Sequence, residues 1–122
     1  MENLLNWFEI PATNFDRAVS FYRNVLKLEI NEKEMFGTKM GFFASDDKNV
    51  SGSIVQGEGY SPSTNGVLMY LNGGKDLQNV LNRIETNQRK VLVPKTQISP
   101  EMGYFGIFMD TEGNKMAIHS IQ

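Results

Sequence analysis

His119 is the only histidine in a chain of 122 residues that contains no cysteine. It stands in "KMAIHSI", an alternating apolar stretch, and an imidazole so placed can act as a general base or a metal ligand. A carboxylate beside it would raise its basicity and fix its tautomer. The acid to consider is Glu9, in "NWFEIP". The ordinary reading is a satisfied strand histidine near a rim and a solvated glutamate, and both readings stay open. A divalent ion in a nitrogen/oxygen site wants clustered imidazole and carboxylate ligands. Here such a site would rest largely on Asp and Glu, which fall mostly in turns and on polar helix faces. Thiol nucleophiles, disulfides and zinc knuckles are excluded outright.

Lys95, in "PKT", leaves a strand beside a Met/Gly/Tyr loop that could act as a lid. There it could neutralise an anionic ligand while Tyr104 donates a hydrogen bond; its ordinary reading is a surface lysine. "GEGYSPSTNG" contains Gly-x-Gly but lacks the strand-to-helix setting and further glycine of a dinucleotide loop. It reads as a connection whose Tyr60 could fold over a cleft. Trp7 is either a core residue or a stacking platform. The seven methionines are scattered and read mostly as gap-fillers.

The elements that must position these groups follow from the hydrophobic pattern. "LLNWFEIP" reads as a strand closed by Pro11. "TNFDRAVSFYRNVL" opens with a capping box, Thr13 as N-cap and Asp16 three residues on. Phe15, Ala18, Val19, Tyr22, Val25 and Leu26 then form one helical stripe. "LEINEKEMF", "TKMGFFAS" and "SGSIVQ" read as strands, the last two separated by the turn "SDDKN". Residues 57–65 form the connection. "VLMYLN" is the next strand, and Leu77, Val80, Leu81 and Ile84 mark a second amphipathic helix. "KVLVP", "GYFGIFM" and "KMAIHSI" complete the chain, with "DTEGN" as the last turn.

The order strand, helix, strand, strand, strand therefore occurs twice. Trp7 matches Val67 at the start of the two first strands, Phe43 matches Phe108, and Asn49 matches Asn114. A half of about 55 residues would be marginal alone, but two can share a core. The sequence predicts a single α+β domain of two tandem βαβββ modules, about residues 4–56 and 66–121. Their sheets would form a curved, partly closed mixed sheet around a cleft. A net charge of −2 with interspersed signs gives no phosphate-backbone footprint, so nucleic acid is not expected. No apolar run reaches the ~18–20 residues of a membrane span. The N-terminus lacks the pattern of a secretory signal, and a cytoplasmic location is expected.

These residues resemble the vicinal oxygen chelate superfamily, which includes glyoxalase I, bleomycin-resistance proteins and extradiol dioxygenases. "WFEIPATNFDRAVSFYRNVL" is similar to that family's opening strand and helix, and "GYFGIFMDTEGNKMAIHS" to its closing turn and strand. The resemblance implies a homodimer and, in metal-binding members, four ligands, one on the first and last strand of each module. By the repeat alignment those places are Trp7, Gly52, Val67 and Ala117, none of which carries a donor side chain. This argues against a divalent metal and against classical glyoxalase I or extradiol dioxygenase activity. No cofactor is expected.

Strand alternation from these places puts Trp7, Glu9, Ile54, Gln56, Met69 and His119 on the cleft face. That surface suits a small organic ligand. Three functions remain: a metal-independent binder of a small aromatic or amphipathic molecule, a lyase or isomerase moving protons through Glu9 and His119, and a structural or regulatory dimer.

Overall fold

The computed structural model describes residues 3–46 and 48–122. Met1, Glu2 and Asp47, the last within the expected turn "SDDKN", lie outside the described residues. The first module runs β1 (Trp7–Pro11), α1 (Phe15–Leu26), β2 (Ile30–Met35), β3 (Thr38–Phe43) and β4 (Ser51–Gln56). The second runs β5 (Tyr70–Asn72), α2 (Leu77–Thr86), β6 (Val91–Ser99), β7 (Gly103–Met109) and β8 (Lys115–Ser120). The two βαβββ modules are as the sequence predicts. Their sheets are ordered β1-β4-β3-β2 and β5-β8-β7-β6, and they do not close on one another.

Within each module the first strand pairs in parallel with the last, and the remaining pairs are antiparallel. The parallel pair needs a crossover, which the helix supplies. Helix α1 is capped by Asn14, whose Oδ1 accepts from the Arg17 N–H at 3.2 Å. This corrects the expected Thr13 cap by one residue. Thr13 is instead tied to Glu112 of the second module. Asp76 caps α2 in the same way, accepting from the Gln78 N–H at 2.9 Å. The β2–β3 hairpin turns through Phe36 (φ 54°) and Gly37 (φ 75°), two residues with positive φ that match the twist of the flanking strands. Edge strand β6 runs on through Pro94 to Ser99 with irregular register, further than "KVLVP" suggested. An edge strand tolerates the missing N–H of proline.

One apolar core draws on both modules. Tyr22 meets Phe43 of its own sheet edge-on at 6.0 Å, while Phe21 meets Phe108 of the other sheet at 6.2 Å. At the seam, the buried Tyr22 hydroxyl donates to Asp110 Oδ2 at 2.7 Å. The turn between β7 and β8 then clasps α1. Glu112 Oε1 accepts from the N–H groups of Thr13 and Asn14, and Oε2 pairs with Arg17 Nε at 2.8 Å. The Asn49–Asn114 match reflects shared turn chemistry. Asp46 Oδ1 accepts from the Asn49 N–H as Asp110 Oδ1 accepts from the Asn114 N–H.

Candidate functional site

The helices cover one face of each sheet and leave the other open, so strand register decides which side chains can meet a ligand. In the first sheet Trp7 lies beside Ser51, and Glu9 beside Ser53, which in turn faces Phe42 across β3. Paired residues point the same way, so the open face carries Trp7, Glu9, Phe42, Ser51 and Ser53. The Trp7 and Phe42 rings, 5.9 Å apart, reach towards each other across the two small serines. In the second sheet Tyr70 lies beside Ala117, and Asn72 beside His119, which faces Phe105. Tyr70 and Phe105 approach to 6.4 Å across β8. The Gly73 N–H donates to the His119 carbonyl as the Ala12 N–H donates to that of Val55, so His119 corresponds to Val55, Ala117 to Ser53, Tyr70 to Glu9 and Phe105 to Met40.

This register corrects several expectations. Val67 does not begin the second module's first strand; it lies in the preceding coil and is almost fully exposed. Met69 packs partly against the core, which puts Tyr70 and Asn72 on the open face in its stead. Gly52 and Ile54 point to the helix side with Phe8 and Ile10, opposite to Trp7 and Glu9. A Cβ on Gly52 would lie 2.6 Å from the Phe8 ring, so glycine serves packing there. Gln56 caps the first helix: its Oε1 accepts from the Phe15 N–H at 2.6 Å. Lys95 pairs with the α2 cap Asp76 at 2.8 Å and stands 4.6 Å from the centre of the Tyr104 ring. The Lys95 hydrogen bond and the Gln78 N–H together hold the Asp76 carboxyl below its ordinary range. Tyr104 packs towards the core. Lys95 and Tyr104 are thus brought together, on the helix side of the sheet.

Glu9 and His119 line different cavities. Glu9 shares a seam of about 470 Å³ with Trp7, Pro11, Val67 and Met69. The Glu9 charge foremost, with lesser desolvation, raises the Tyr60 phenol above its usual pKa. His119 lies in a cup of about 890 Å³ on the open face of the second sheet. The cup is walled by Tyr70, Ile98, Met102, Phe105 and Ile121, with Asn72 as its further polar group; the Ser120 hydroxyl is turned to the helix side, where it accepts from the Leu77 N–H at 3.0 Å. None of its lining residues carries a formal carboxylate, ammonium or guanidinium charge.

The His119 Nε2 atom lies 2.6 Å from the Met102 carbonyl oxygen. A carbonyl oxygen only accepts, so Nε2 carries the proton. In the neutral imidazole the lone pair then sits on Nδ1, which has no protein partner among the described residues. The β6–β7 loop that supplies Met102 therefore fixes the ring and leaves one acceptor. Tyr70, Asn72, Met102 and Phe105 were not singled out from sequence. A strand register anchored on Tyr70 in place of Val67 would have found Tyr70 and Asn72.

A divalent metal does not fit these residues. The four family places hold no donor side chain in the alignment made from sequence. Of those places, Trp7 and Ala117 lie on the open faces, Gly52 points to the helix side with Phe8, and Val67 precedes β5. Among the described residues, no three of His, Asp or Glu come close enough to hold an ion.

The profile of the Glyoxalase/Bleomycin resistance protein/Dioxygenase superfamily matches residues 4–118. No curated protein matches at a significant level. Among solved structures, a glyoxylase/bleomycin resistance protein/dioxygenase domain from Frankia sp. EAN1pec superposes with a TM-score of 0.75 at 9% identity, covering 98% of each chain. TnmS3, an antibiotic binding protein from Streptomyces sp. CB03234, gives 0.68 at 20% identity, again over 98% of both. Glyoxalase I from Zea mays gives 0.71 at 11% identity over 93% of this chain, which spans only 43% of that enzyme. At such identities the structural likeness carries the fold alone. The family profile, spanning nearly the whole chain, carries the membership: this protein belongs to the glyoxalase/bleomycin resistance protein/dioxygenase superfamily.

Proposed function

We propose that the protein binds a small, uncharged, largely apolar organic molecule in the cup on the open face of the second sheet, without a metal. The observation that carries this reading is the cup itself: about 890 Å³, apolar and aromatic walls, no formal charge, and two polar groups, His119 and Asn72, side by side. That is the usual makeup of a small-molecule site, in which a few polar groups orient a ligand held by apolar burial. The structural neighbour TnmS3 is an antibiotic binding protein, which supports small-molecule binding on this fold. The donor set is a poor match for a catalytic ion, which supports the metal-free form of the proposal.

A second reading, proton transfer by a lyase or isomerase, has the free Nδ1 of His119 in its favour. Against it, Glu9 lines another cavity and the cup offers no carboxylate. Its requirement is an acid from elsewhere, and we place it second.

We further propose a homodimer in the cytoplasm. The first strands β1 and β5 are both sheet edges, and Leu4, Leu5, Trp7, Val67 and Tyr70 are exposed on or beside them. A reducing compartment suits a chain without cysteine. Light scattering on the purified protein tests the dimer, and a monomer at high concentration refutes it. Binding is tested by a thermal-shift screen of neutral aromatic compounds, with plasma emission spectrometry of the purified protein alongside. Stabilisation by neutral aromatics in metal-free protein supports the proposal; stoichiometric nickel, zinc, iron or manganese refutes its metal-free part. Turnover of methylglyoxal hemithioacetal would refute the preference for binding over catalysis.

A further inference from the structure

The cup does more than exclude charge: its two polar groups are fixed in opposite hydrogen-bonding senses. Asn72 Oδ1 accepts from the Gly74 N–H at 2.8 Å, and a backbone N–H can only donate. The amide orientation is therefore determined, and Nδ2 is left as a donor with no protein partner among the described residues. His119, whose proton is held on Nε2 by the Met102 carbonyl, presents Nδ1 as an acceptor. Asn72 and His119 are register partners on the parallel strands β5 and β8. Neighbouring strands lie about 4.8 Å apart, so the two groups stand next to each other on one face.

Both settings are built in by close approach. The Gly73 N–H donates to the His119 carbonyl at 2.6 Å, which extends the β5–β8 ladder past Asn72. A Cβ on Gly73 would lie 2.8 Å from that carbonyl oxygen, so the turn holding Asn72 depends on a glycine there. The rings of Tyr70 and Phe105 lie on the same face, next to the polar pair.

We infer that the ligand carries an acceptor beside a donor on one edge of a flat apolar body, the pattern of a lactam or cyclic amide. Its carbonyl accepts from Asn72 Nδ2, its N–H donates to His119 Nδ1, and its ring rests against Tyr70 and Phe105. This inference rests on the cup being the ligand site, and it adds the chemical class. Anions are disfavoured, because no lining residue supplies a cation to replace their lost hydration.

The test uses four bicyclic probes on the full chain: 2-quinolinone (donor beside acceptor), quinoline (acceptor alone), naphthalene (neither) and quinoline-2-carboxylate (anion). Dissociation constants come from NMR titration, and the His119 ring nitrogens are followed by long-range nitrogen–proton correlation. As the only histidine, its signals need no assignment. One matched hydrogen bond gives about a tenfold preference, so 2-quinolinone should bind at least tenfold more tightly than quinoline or naphthalene. The carboxylate should bind most weakly. The Nδ1 resonance should move with 2-quinolinone and stay in place with naphthalene.

Asn72→Asp keeps the oxygen that accepts from Gly74 but turns the donor into an acceptor. It should abolish the preference for 2-quinolinone over naphthalene, since the donor to the ligand carbonyl is lost. Equal affinity for 2-quinolinone, quinoline and naphthalene, or an unmoved Nδ1, overturns the lactam inference and leaves the cup as a site. Failure of all four probes to bind overturns the cup reading as well.

Discussion

Replacing Glu112 by glutamine tests how the two modules are held together. Burial pushes the Glu112 carboxyl up, but Arg17, the N–H groups of Asn14 and Thr13 and the Thr111 hydroxyl outweigh it and bring the pKa from 4.5 to about 2. At about 1.4 kcal/mol per unit, that shift corresponds to about 3 kcal/mol. The Arg17 side chain is half exposed, and solvent screening lowers the expected effect to about 2 kcal/mol. Glu112→Gln keeps one oxygen for Thr13 and Asn14 but turns an amide N–H towards Arg17. The expected outcome at pH 7 is a loss of about 2 kcal/mol in urea unfolding, or a fall of about 8 °C in Tm for a domain of this size.

The pH dependence carries the sharper test. The folded pKa is depressed, so the stabilisation is complete above the unfolded value of 4.5 and is lost as pH falls towards about 2. The wild-type advantage over Glu112→Gln should therefore be flat above about pH 5.5 and drop below half by about pH 3. A difference that persists undiminished at pH 3 would show that shape, not charge, does the clasping. A variant within 1 °C of wild type at pH 7 would refute the latch itself.

Three further outcomes are expected. Tyr22→Phe removes the buried donor to Asp110 Oδ2, which Asn114 still reaches at 3.0 Å, and should cost about 1–3 kcal/mol in urea unfolding. Gly52→Ala forces a methyl against the Phe8 ring and backbone and should cost about 1–3 kcal/mol; a neutral result would mean that β1 can shift freely. Lys95→Met breaks an ion pair on the helix side and should cost under about 1 kcal/mol. It should leave probe binding unchanged, and a large loss of binding would return Lys95 to the site.

Much of the architecture is legible in the sequence because it rests on local pattern. The stripe from Phe15 to Leu26 and the spacing of Leu77, Val80, Leu81 and Ile84 give both helices within a few residues. "SGSIVQ" and "GYFGIFM" coincide with β4 and β7. The turn residues Asp46, Asn49, Asp110 and Asn114 betray the repeat because their side chains bind the backbone of their own turn. His119 was legible too, since its strand alternates and it faces the cup.

What the sequence could not supply is the register between strands distant in the chain. Alternation within one strand says that Trp7 and Glu9 share a face, but not which residues of β4 share it with them. Parallel pairing puts Ser51 and Ser53 there and turns Gly52, Ile54 and Gln56 inward. The side-chain period is two, so a one-residue offset exchanges the faces completely. The same holds for β5, where the odd-residue offset between Val67 and Tyr70 replaced Met69 by Asn72 beside His119.

The sequence by itself determined the two modules, their helices and the absence of thiol chemistry, because periodicity, turn residues and composition are properties of the chain. Only the tertiary structure decided that His119 is partnered by Asn72 and a backbone carbonyl, with Glu9 in another cavity. Those pairings depend on how separate strands slide against one another, and that is set by packing over the whole core.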